Sequence, residues 1–312
     1  MKRLTIILLI LFFTLRAASA SSERPSYVTC HLTGQLGNQL FQIATTLAYA
    51  WDYNAIPVFP DLNQSTYLMS YNRDRIFFRL DSSPSPCRFR NTFTEASWNS
   101  AIRPPFQRNV KLFGYFCSWA HFNHHRNRLL EVFAPSSSIL DYLRAKYPDL
   151  IDNPKTVSIH VRTGNAELHA KKFYHFMGLE YYKRAIELFP SDSTFVVFSD
   201  RINWCKVHFP SLNKKFIFID SNDAIQDLFL MSMMKHNIVA NSSFSWWGAY
   251  LNQNPGKIVV APYSWHHPSF ALFPSEPNQF YFDDWKIIKP DYEEPYPVDM
   301  TWYDIRSQSS DN

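Results

Sequence analysis

Residues 223–262 read DAIQDLFLMSMMKHNIVANSSFSWWGAYLNQNPGKIVVAP, and this stretch decides the fold. A helix is predicted over 223–235 because the preceding residues, Asp220, Ser221 and Asn222, are good capping residues. A short apolar strand follows at 237–240, then a helix at 244–253 and a strand at 257–260. Strands separated by helices of this length predict a parallel sheet with right-handed crossovers.

The same alternation occupies the residues before this stretch. Strands are predicted at 157–161, 194–198 and 215–219, with a helix at 178–188 between the first two. Ligands of parallel sheets bind at the carboxyl ends of the strands. The residues that follow Val161, Phe198 and Ala240 are therefore the first candidates for a binding site.

The first half of the chain begins with a similar unit. A strand is predicted at 27–33, a tight loop at 34–37 and a helix at 38–51, whereas 63–125 contains prolines and scattered charges typical of long loops. These patterns predict an α/β fold with two Rossmann-like halves whose parallel sheets face a cleft. The predicted halves are 25–150 and 151–290, and 291–312 form a tail.

The N-terminus has the pattern of a targeting segment. Lys2 and Arg3 precede an apolar run at 4–15, and small residues follow at 18–20. This predicts that 1–20 form a cleaved signal peptide or an uncleaved signal anchor. In the anchored case alone, the chain would be associated with a membrane.

The chain has four cysteines, which are Cys30, Cys87, Cys117 and Cys205. They either form disulfides or remain as buried thiols.

The composition excludes some classes of function. The chain has 312 residues, 46% hydrophobic content and a formal net charge of +4. These values are typical of a globular protein with a large core. The charge is too small and too dispersed for a nucleic-acid binder.

The first motif is His160-Val161-Arg162 at the end of a predicted strand. The Arg162 guanidinium can clamp a diphosphate with paired, charge-assisted hydrogen bonds. His160 lies on the same side of the strand, because side chains alternate along it, and could hydrogen-bond a base or a phosphate. The alternatives are an arginine ion-paired at a domain edge and a structural histidine.

The second motif is NSSFSWWG, residues 241–248, where a strand ends and a helix begins. Backbone N–H groups at a helix start, together with hydroxyls, form a site for an anion. Such a location would bury Asn241 and make it a poor acceptor for N-glycosylation. The simpler interpretation is an N-cap followed by aromatic core residues.

The third motif is GQLGNQ, residues 34–39. Gly34 and Gly37 permit a close approach of the backbone to a ligand. Asn38 and Gln39 are neutral donors that could orient a sugar or stabilise a developing charge. The spacing does not match the dinucleotide-binding G-x-G-x-x-G pattern.

A metal-binding carboxylate pair of the D-x-D type does not occur anywhere in the sequence. Without it, a nucleotide diphosphate leaving group must be stabilised by arginine, by backbone N–H groups and by a helix start. We therefore expect no metal and no other cofactor.

Taken together, these segments resemble glycosyltransferase family 11, the α1,2-fucosyltransferases. The resemblance rests on 223–262 and on GQLGNQLFQIAT, KLFGYFCSW, VSIHVR and FSDRINWCK, and it covers roughly residues 27 to 290. It implies a GT-B-type fold, GDP-fucose as donor, a β-galactoside as acceptor, metal-independent transfer with inversion, and an enzyme that acts in glycan synthesis.

The resemblance also implies roles for individual residues. Arg162 would bind the β-phosphate, His160 would lie near the guanine or phosphate, and Asp200 could accept from guanine N–H groups. Asn38 would lie near the fucose. The diphosphate and nucleoside would be bound by Ser242, Ser243 and Phe244, beside Asn241.

One motif departs from the family pattern. Members of the family usually have the pattern H-x-R-x-x-D, whereas this chain has Asn165 at the position of the aspartate. If that aspartate acts as a base or fixes the arginine, this chain is expected to be slow or altered in its acceptor. Glu167 is a nearby substitute.

Other functions follow from the same residues. The chain could form another fucosyl linkage, such as protein O- or α1,6-linkage, or it could bind a sugar nucleotide on a decayed transferase scaffold. The predicted location is the lumen of the secretory pathway, such as the Golgi, where the donor is supplied, or the cytosol if the chain is bacterial.

Overall fold

A computed structural model describes residues 24–97, 100–164, 175–266 and 280–291. Its strands form two sheets in which every pair is parallel. The first sheet has the order β2-β1-β4-β3, with β1 Tyr27–Cys30, β2 Ile56–Pro57, β3 Asn91–Thr94 and β4 Val110–Phe113. The second has the order β10-β9-β8-β5-β6-β7, with β5 Thr156–Val161, β6 Thr194–Ser199, β7 Lys215–Phe218, β8 His236–Ile238, β9 Val259–Pro262 and β10 Lys286–Ile288.

Helices connect these strands. In the described part of the chain they are α1 Leu36–Asp52, α2 Met69–Arg75, α3 Arg126–Val132, α4 Ser137–Lys146, α5 Leu179–Ile186, α6 Ile202–His208, α7 Ala224–Met233 and α8 Ser243–Leu251. Short 3-10 turns lie at Pro60–Asn63, Thr66–Leu68, Trp119–His121, Asn123–His125 and Phe209–Leu212.

The start of α7 illustrates how local sequence fixes an element. The Asp223 side chain accepts hydrogen bonds from the backbone N–H groups of Ile225 and Gln226, at 2.8 and 2.9 Å. The Gln226 side chain accepts in return from the Asp223 N–H at 3.0 Å. This reciprocal capping box satisfies N–H groups that the helix itself cannot pair, and it places the N-cap at Asp223, directly after the predicted capping residues 220–222.

The larger sheet is covered on both faces. All residues of β6 are buried, with Val196 and Phe198 in one hydrophobic core and Phe195 and Val197 in the other. Because side chains alternate along a strand, a strand covered on both faces is apolar throughout. This pattern is the reason that buried strands such as β6 could be predicted from the sequence.

The two halves share one core. Phe41 in α1 packs against Trp246 and Trp247 in α8, with ring centroids 4.7 and 5.2 Å apart. All three side chains are fully buried. Contact between these helices brings their N-termini together, and this contact positions the candidate site.

Two further predictions concern the cysteines and the membrane. All four cysteines are free, and Cys30, Cys117 and Cys205 are buried, which agrees with the thiol alternative. Within the described ranges, no helix has the length and apolar character that a bilayer span requires. The predicted leader, residues 1–20, lies outside these ranges.

Candidate active site

The carboxyl ends of β5 and β6 bring Arg162 and Asp200 together. The two strands are neighbours in the sheet, with Val161 opposite Ser199, and each is followed directly by one of these residues. Arg162 Nη1 lies 2.7 Å from Asp200 Oδ2, and the arginine side chain is 47% exposed. A guanidinium has five N–H donors in a planar fork, so this pairing leaves donors accessible to a ligand.

Asp200 holds the loop that follows β5. Its Oδ1 accepts from the Thr163 N–H and hydroxyl, both at 3.0 Å, and its Oδ2 accepts from the Gly164 N–H at 3.2 Å and from Arg162. Burial raises the pKa of Asp200, but the Arg162 charge and the Thr163 N–H outweigh it and hold that pKa below its usual range.

These contacts change the role predicted for Asp200. A carboxylate has about four lone-pair sites, and all of them are used here. Asp200 therefore has none left for guanine N–H groups, and we assign it the positioning of Arg162. Positioning of the arginine is also one of the two roles considered for the family aspartate at position 165, the other being that of a base. Asn165 and Glu167 themselves lie outside the described residues.

His160 lies in β5, two residues before Arg162, and is 5% exposed. Burial lowers the pKa of His160 to about 4, and the nearby Asp200 and Arg162 charges act in opposite directions on it. The imidazole is therefore neutral at pH 7. Its Nδ1 has no hydrogen-bond partner among the described residues, and its ring lies 5.4 Å from that of Phe244.

Phe244 belongs to the first turn of α8, whose N-cap is Ser242. The Ser242 side chain makes no capping hydrogen bond, and the first intrahelical bond at this end runs from the Trp246 N–H to the Ser242 carbonyl. The N–H groups of Ser243, Phe244 and Ser245 therefore have no intrahelical acceptor, as at every helix start. These are the N–H groups that the sequence analysis predicts to bind an anion.

The N-terminus of α1 contacts this turn. The Ser243 hydroxyl donates to Asn38 Oδ1 at 2.8 Å. A Cβ atom added at Gly37 would lie 2.5 Å from the Phe244 nitrogen and 2.7 Å from the Ser243 carbonyl carbon. The predicted close approach at Gly37 is therefore made to the backbone of α8, and it brings Asn38 beside the anion-binding turn.

Two residues that were predicted to contact a ligand, Gln39 and Asn241, instead make hydrogen bonds within the protein. The Gln39 amide is buried, donates to the Gly34 and Tyr67 carbonyls at 2.9 Å and accepts from Asn72 at 2.8 Å. We therefore assign Gln39, together with Gly34 at φ +74°, to fixing the loop rather than touching a sugar.

Asn241 is likewise 7% exposed, which agrees with the expectation that it is a poor glycan acceptor. Its Nδ2 donates to the His175 and Trp265 carbonyls at 2.7 and 3.0 Å. These bonds anchor the turn before α8, so its role is positional.

Sequence reasoning missed Glu95, which directly follows β3 at the same edge of the first sheet from which α1 begins. Its Oε2 accepts from the Tyr115 and Phe116 N–H groups at 2.8 and 2.9 Å, while its buried Oε1 has no partner in the described ranges. Burial raises the pKa of Glu95 to about 7, against the lowering effect of those two bonds. In the sequence, the one sign of a role for Glu95 is its position directly after the strand at 91–94. That strand was not predicted, because it lies in a segment predicted to be loops.

Glu95→Gln is expected to flatten the pH dependence of stability. The folded-state pKa of about 7 exceeds the ordinary 4.5, so the stability contributed by the protonated carboxyl is complete below pH 4.5 and is lost as the pH rises to 7. Between pH 5 and 8 the free energy of unfolding of the wild type should fall by about 2–3 kcal/mol more than that of the variant. Denaturant titration at both pH values measures this, with the exposed Glu180→Gln as control. Equal slopes in wild type and Glu95→Gln would contradict the assignment.

The chain is similar to one protein family and to several proteins of known function. The family model described as glycosyl transferase family 11 matches residues 2–289. An α-1,2-colitosyltransferase of Escherichia coli is 29% identical over 271 residues, which are 77% of this chain and 92% of that protein. Galactoside 2-α-L-fucosyltransferase Sec1 of Mus musculus is 23% identical over 287 residues, which are 88% of this chain and 77% of that protein.

Among solved structures, fucosyltransferase NodZ from Bradyrhizobium matches with a TM-score of 0.51. The match covers 75% of this chain and 97% of that chain at 14% identity. At an identity this low, the match shows the fold alone. It confirms the α/β, GT-B-like architecture that the resemblance implied.

Proposed function

Because the chain belongs to glycosyltransferase family 11, we propose that it transfers L-fucose from GDP-β-L-fucose to the 2-hydroxyl of a β-galactoside glycan. Membership makes the chain a glycosyltransferase. The observation that carries the finer proposal is the contact of the α8 start with Asn38 on one side and His160 on the other, two residues before Arg162.

The donor diphosphate is proposed to bind at this junction. Arg162 would supply charge-assisted hydrogen bonds, and the first turn of α8 would supply backbone N–H groups and the positive end of a helix dipole. The neutral His160 can give or accept one hydrogen bond from the nucleotide, since its Nδ1 lacks a partner among the described residues.

The reaction is proposed to be a single in-line displacement with inversion. The acceptor oxygen forms a bond to the fucose anomeric carbon as the bond from that carbon to the β-phosphate oxygen breaks, and GDP departs with the bonding electron pair. Negative charge develops on that phosphate, where Arg162 and the α8 N–H groups stabilise it.

Asn38 is proposed to orient the sugar. Its Oδ1 is held by Ser243 at 2.8 Å, which fixes the side chain at the boundary between the two halves. A fixed neutral donor at this place can align the reactants without competing for the leaving group. The transition state is expected to be oxocarbenium-like, so the acceptor needs little help from a base and its proton can leave to water or phosphate.

No metal is expected in this chemistry, because the donor set proposed for the diphosphate already supplies one full positive charge and several N–H groups. Transfer should therefore persist in EDTA. The leader predicted at 1–20 fits a lumenal location supplied with nucleotide sugar.

The Escherichia coli relative is named for transfer of colitose, the 3-deoxy analogue of fucose, so this donor is the second candidate. Turnover of GDP-fucose and GDP-colitose, each with lactose as acceptor, separates the two. We expect the fucose donor to have the higher kcat/KM and the NMR spectrum of the product to show substitution at the galactose 2-hydroxyl. A product linked at another hydroxyl would contradict the proposed linkage. So would equal activity on a lactose analogue that lacks the galactose 2-hydroxyl.

A further inference from the structure

A cluster of metal-ligating side chains lies outside the site described above. Asp52, His124 and His125 direct their ligand atoms at one another, all within 4.8 Å. His124 Nε2 is 3.0 Å from both carboxylate oxygens of Asp52, and His125 Nε2 is 2.7 Å from Oδ1. The three side chains are between 21% and 28% exposed, so an ion in solution can reach them.

These separations are close to those within a metal coordination shell. With metal–ligand distances of about 2.0–2.1 Å and tetrahedral angles, neighbouring ligand atoms lie about 3.3 Å apart. A small outward movement of the three side chains would therefore admit an ion. Two imidazole nitrogens with one carboxylate and open positions for water suit a borderline divalent transition metal such as Zn²⁺.

The backbone adds an independent reason for a cation. Asp52 is the last residue of α1, where unpaired carbonyl groups give a helix its negative end. A carboxylate is unfavourable there unless a positive charge compensates it. In the metal-free protein the two histidines supply this compensation by directing their Nε2 atoms at the Asp52 carboxylate.

The cluster is remote from the candidate active site. Asn38 and Asp52 are separated by nearly the whole of α1, which corresponds to about 21 Å along the helix axis. His124 and His125 lie in one 3-10 turn before α3, so an ion bound here would tie the C-terminus of α1 to that turn.

We propose that Asp52, His124 and His125 form a peripheral structural site for a divalent transition-metal ion of the Zn²⁺ class, distinct from the proposed transfer chemistry. The ion replaces the Nε2-bound hydrogens that the two histidines direct at Asp52, and each imidazole then carries its proton on Nδ1. Protons compete for the same nitrogens, so affinity falls as the pH is lowered.

One nearby charge opposes binding. The Arg128 guanidinium lies 4.0 Å from the centroid of the Trp51 ring, and that ring contacts His125 with centroids 5.2 Å apart. This arginine weakens the attraction of the cluster for a cation without occupying the ligand atoms. Because Arg128 acts on the wild type and on the ligand variants alike, the test compares their affinities for the metal ion.

The test is titration of the metal-free full chain with Co²⁺, followed by absorption spectroscopy, and with Zn²⁺, followed by calorimetry. Asp52→Asn preserves the shape of the ligand, and the double variant His124→Ala/His125→Ala removes two ligands. His31→Ala is the matched control, since it removes another histidine that contacts an aspartate, Asp61, at 3.5 Å.

We expect the wild type and the control to bind one more equivalent than the double variant, and to show a visible Co²⁺ band that the double variant lacks. Asp52→Asn should bind at least about tenfold more weakly. At a hundredfold excess over Kd, Zn²⁺ should raise the Tm of the wild type by about 4 °C, and transfer at 25 °C should be unchanged by EDTA. Equal stoichiometry and affinity in the wild type and both ligand variants would overturn the proposal. A Zn²⁺ requirement for transfer would overturn its separation from catalysis.

Discussion

Arg162→Ala is expected to lower kcat/KM for fucosyl transfer by about 10²- to 10³-fold. The guanidinium places a full positive charge at the carboxyl ends of β5 and β6, near the α8 start, and its side chain is 47% exposed. Its proposed partner, the departing phosphate, gains charge in the transition state, so the loss should appear mainly in kcat. Initial rates of GDP release over a range of donor concentrations separate kcat from KM.

Arg162→Lys and Arg184→Ala make this experiment specific. The lysine variant retains the charge but not the planar fork, so its activity should lie between those of the wild type and the alanine variant. Arg184 also lies in the second half, where it is exposed and donates to the Lys289 carbonyl at 2.8 Å, and its replacement should leave the rate unchanged. Near-normal turnover of a folded Arg162→Ala protein would show that another group stabilises the leaving phosphate.

Gly37→Ala is expected to abolish donor binding and to destabilise the fold by about 3 kcal/mol or more. The added methyl would lie 2.5 Å from the Phe244 nitrogen, and backbone atoms cannot rotate away as a flexible side chain can. The N-termini of α1 and α8 must separate, which breaks the 2.8 Å hydrogen bond from Ser243 to Asn38 and distorts the anion-binding turn. Denaturant unfolding and GDP titration measure the two effects.

Gly256→Ala is the control for this substitution. A Cβ there would meet nothing within 4 Å, although φ is +65°. It should lower stability by about 1–2 kcal/mol from backbone strain alone and leave GDP affinity intact. If Gly37→Ala unfolded at the same denaturant concentration as Gly256→Ala and bound GDP normally, the two helix starts would not be in the close contact described.

Five of the six strands of the second sheet were predicted from sequence, most clearly β5 and β6, which are buried on both faces, whereas the exposed edge strand β10 was not predicted. Their continuous apolar runs end at polar residues, as at Asp200 and Asn241, which mark the edge of the sheet where ligands bind. The predicted bounds differ from the structure by one or two residues at most ends. For example, 194–198 was predicted for the strand observed at Thr194–Ser199.

The first sheet was harder to predict because its strands are short and one of them is exposed. The observed β3 and β4 have four residues each, and β3 lies at the edge with most of its side chains exposed. Neither has the apolar run that identifies a buried strand. Glu95 was missed for this reason, since its importance comes from the backbone of 115–116 that folding brings to it.

The roles of Asp200 and Gly37 depend on contacts between distant segments. Both were singled out by their position at the end of a strand or in a tight loop, and the structure places Asp200 directly after β6 and Gly37 in the first turn of α1. The partner of each was predicted to be the ligand, but the structure pairs Asp200 with Arg162 and Gly37 with the backbone of Phe244. Local sequence patterns indicate where a site lies, but they do not indicate which residues contact the ligand and which support those that do.

The most direct test of the proposed function is GDP release from GDP-fucose by the purified chain in EDTA, with and without lactose or N-acetyllactosamine. The proposal predicts release that depends on the acceptor, is not increased by added divalent metal, and is lost in Arg162→Ala. Release that requires added metal would contradict the proposed stabilisation of the diphosphate by Arg162 and the α8 start. Tight binding of GDP-fucose with no transfer to any galactoside would contradict the proposed acceptor, and failure with every other acceptor as well would favour a sugar-nucleotide-binding protein.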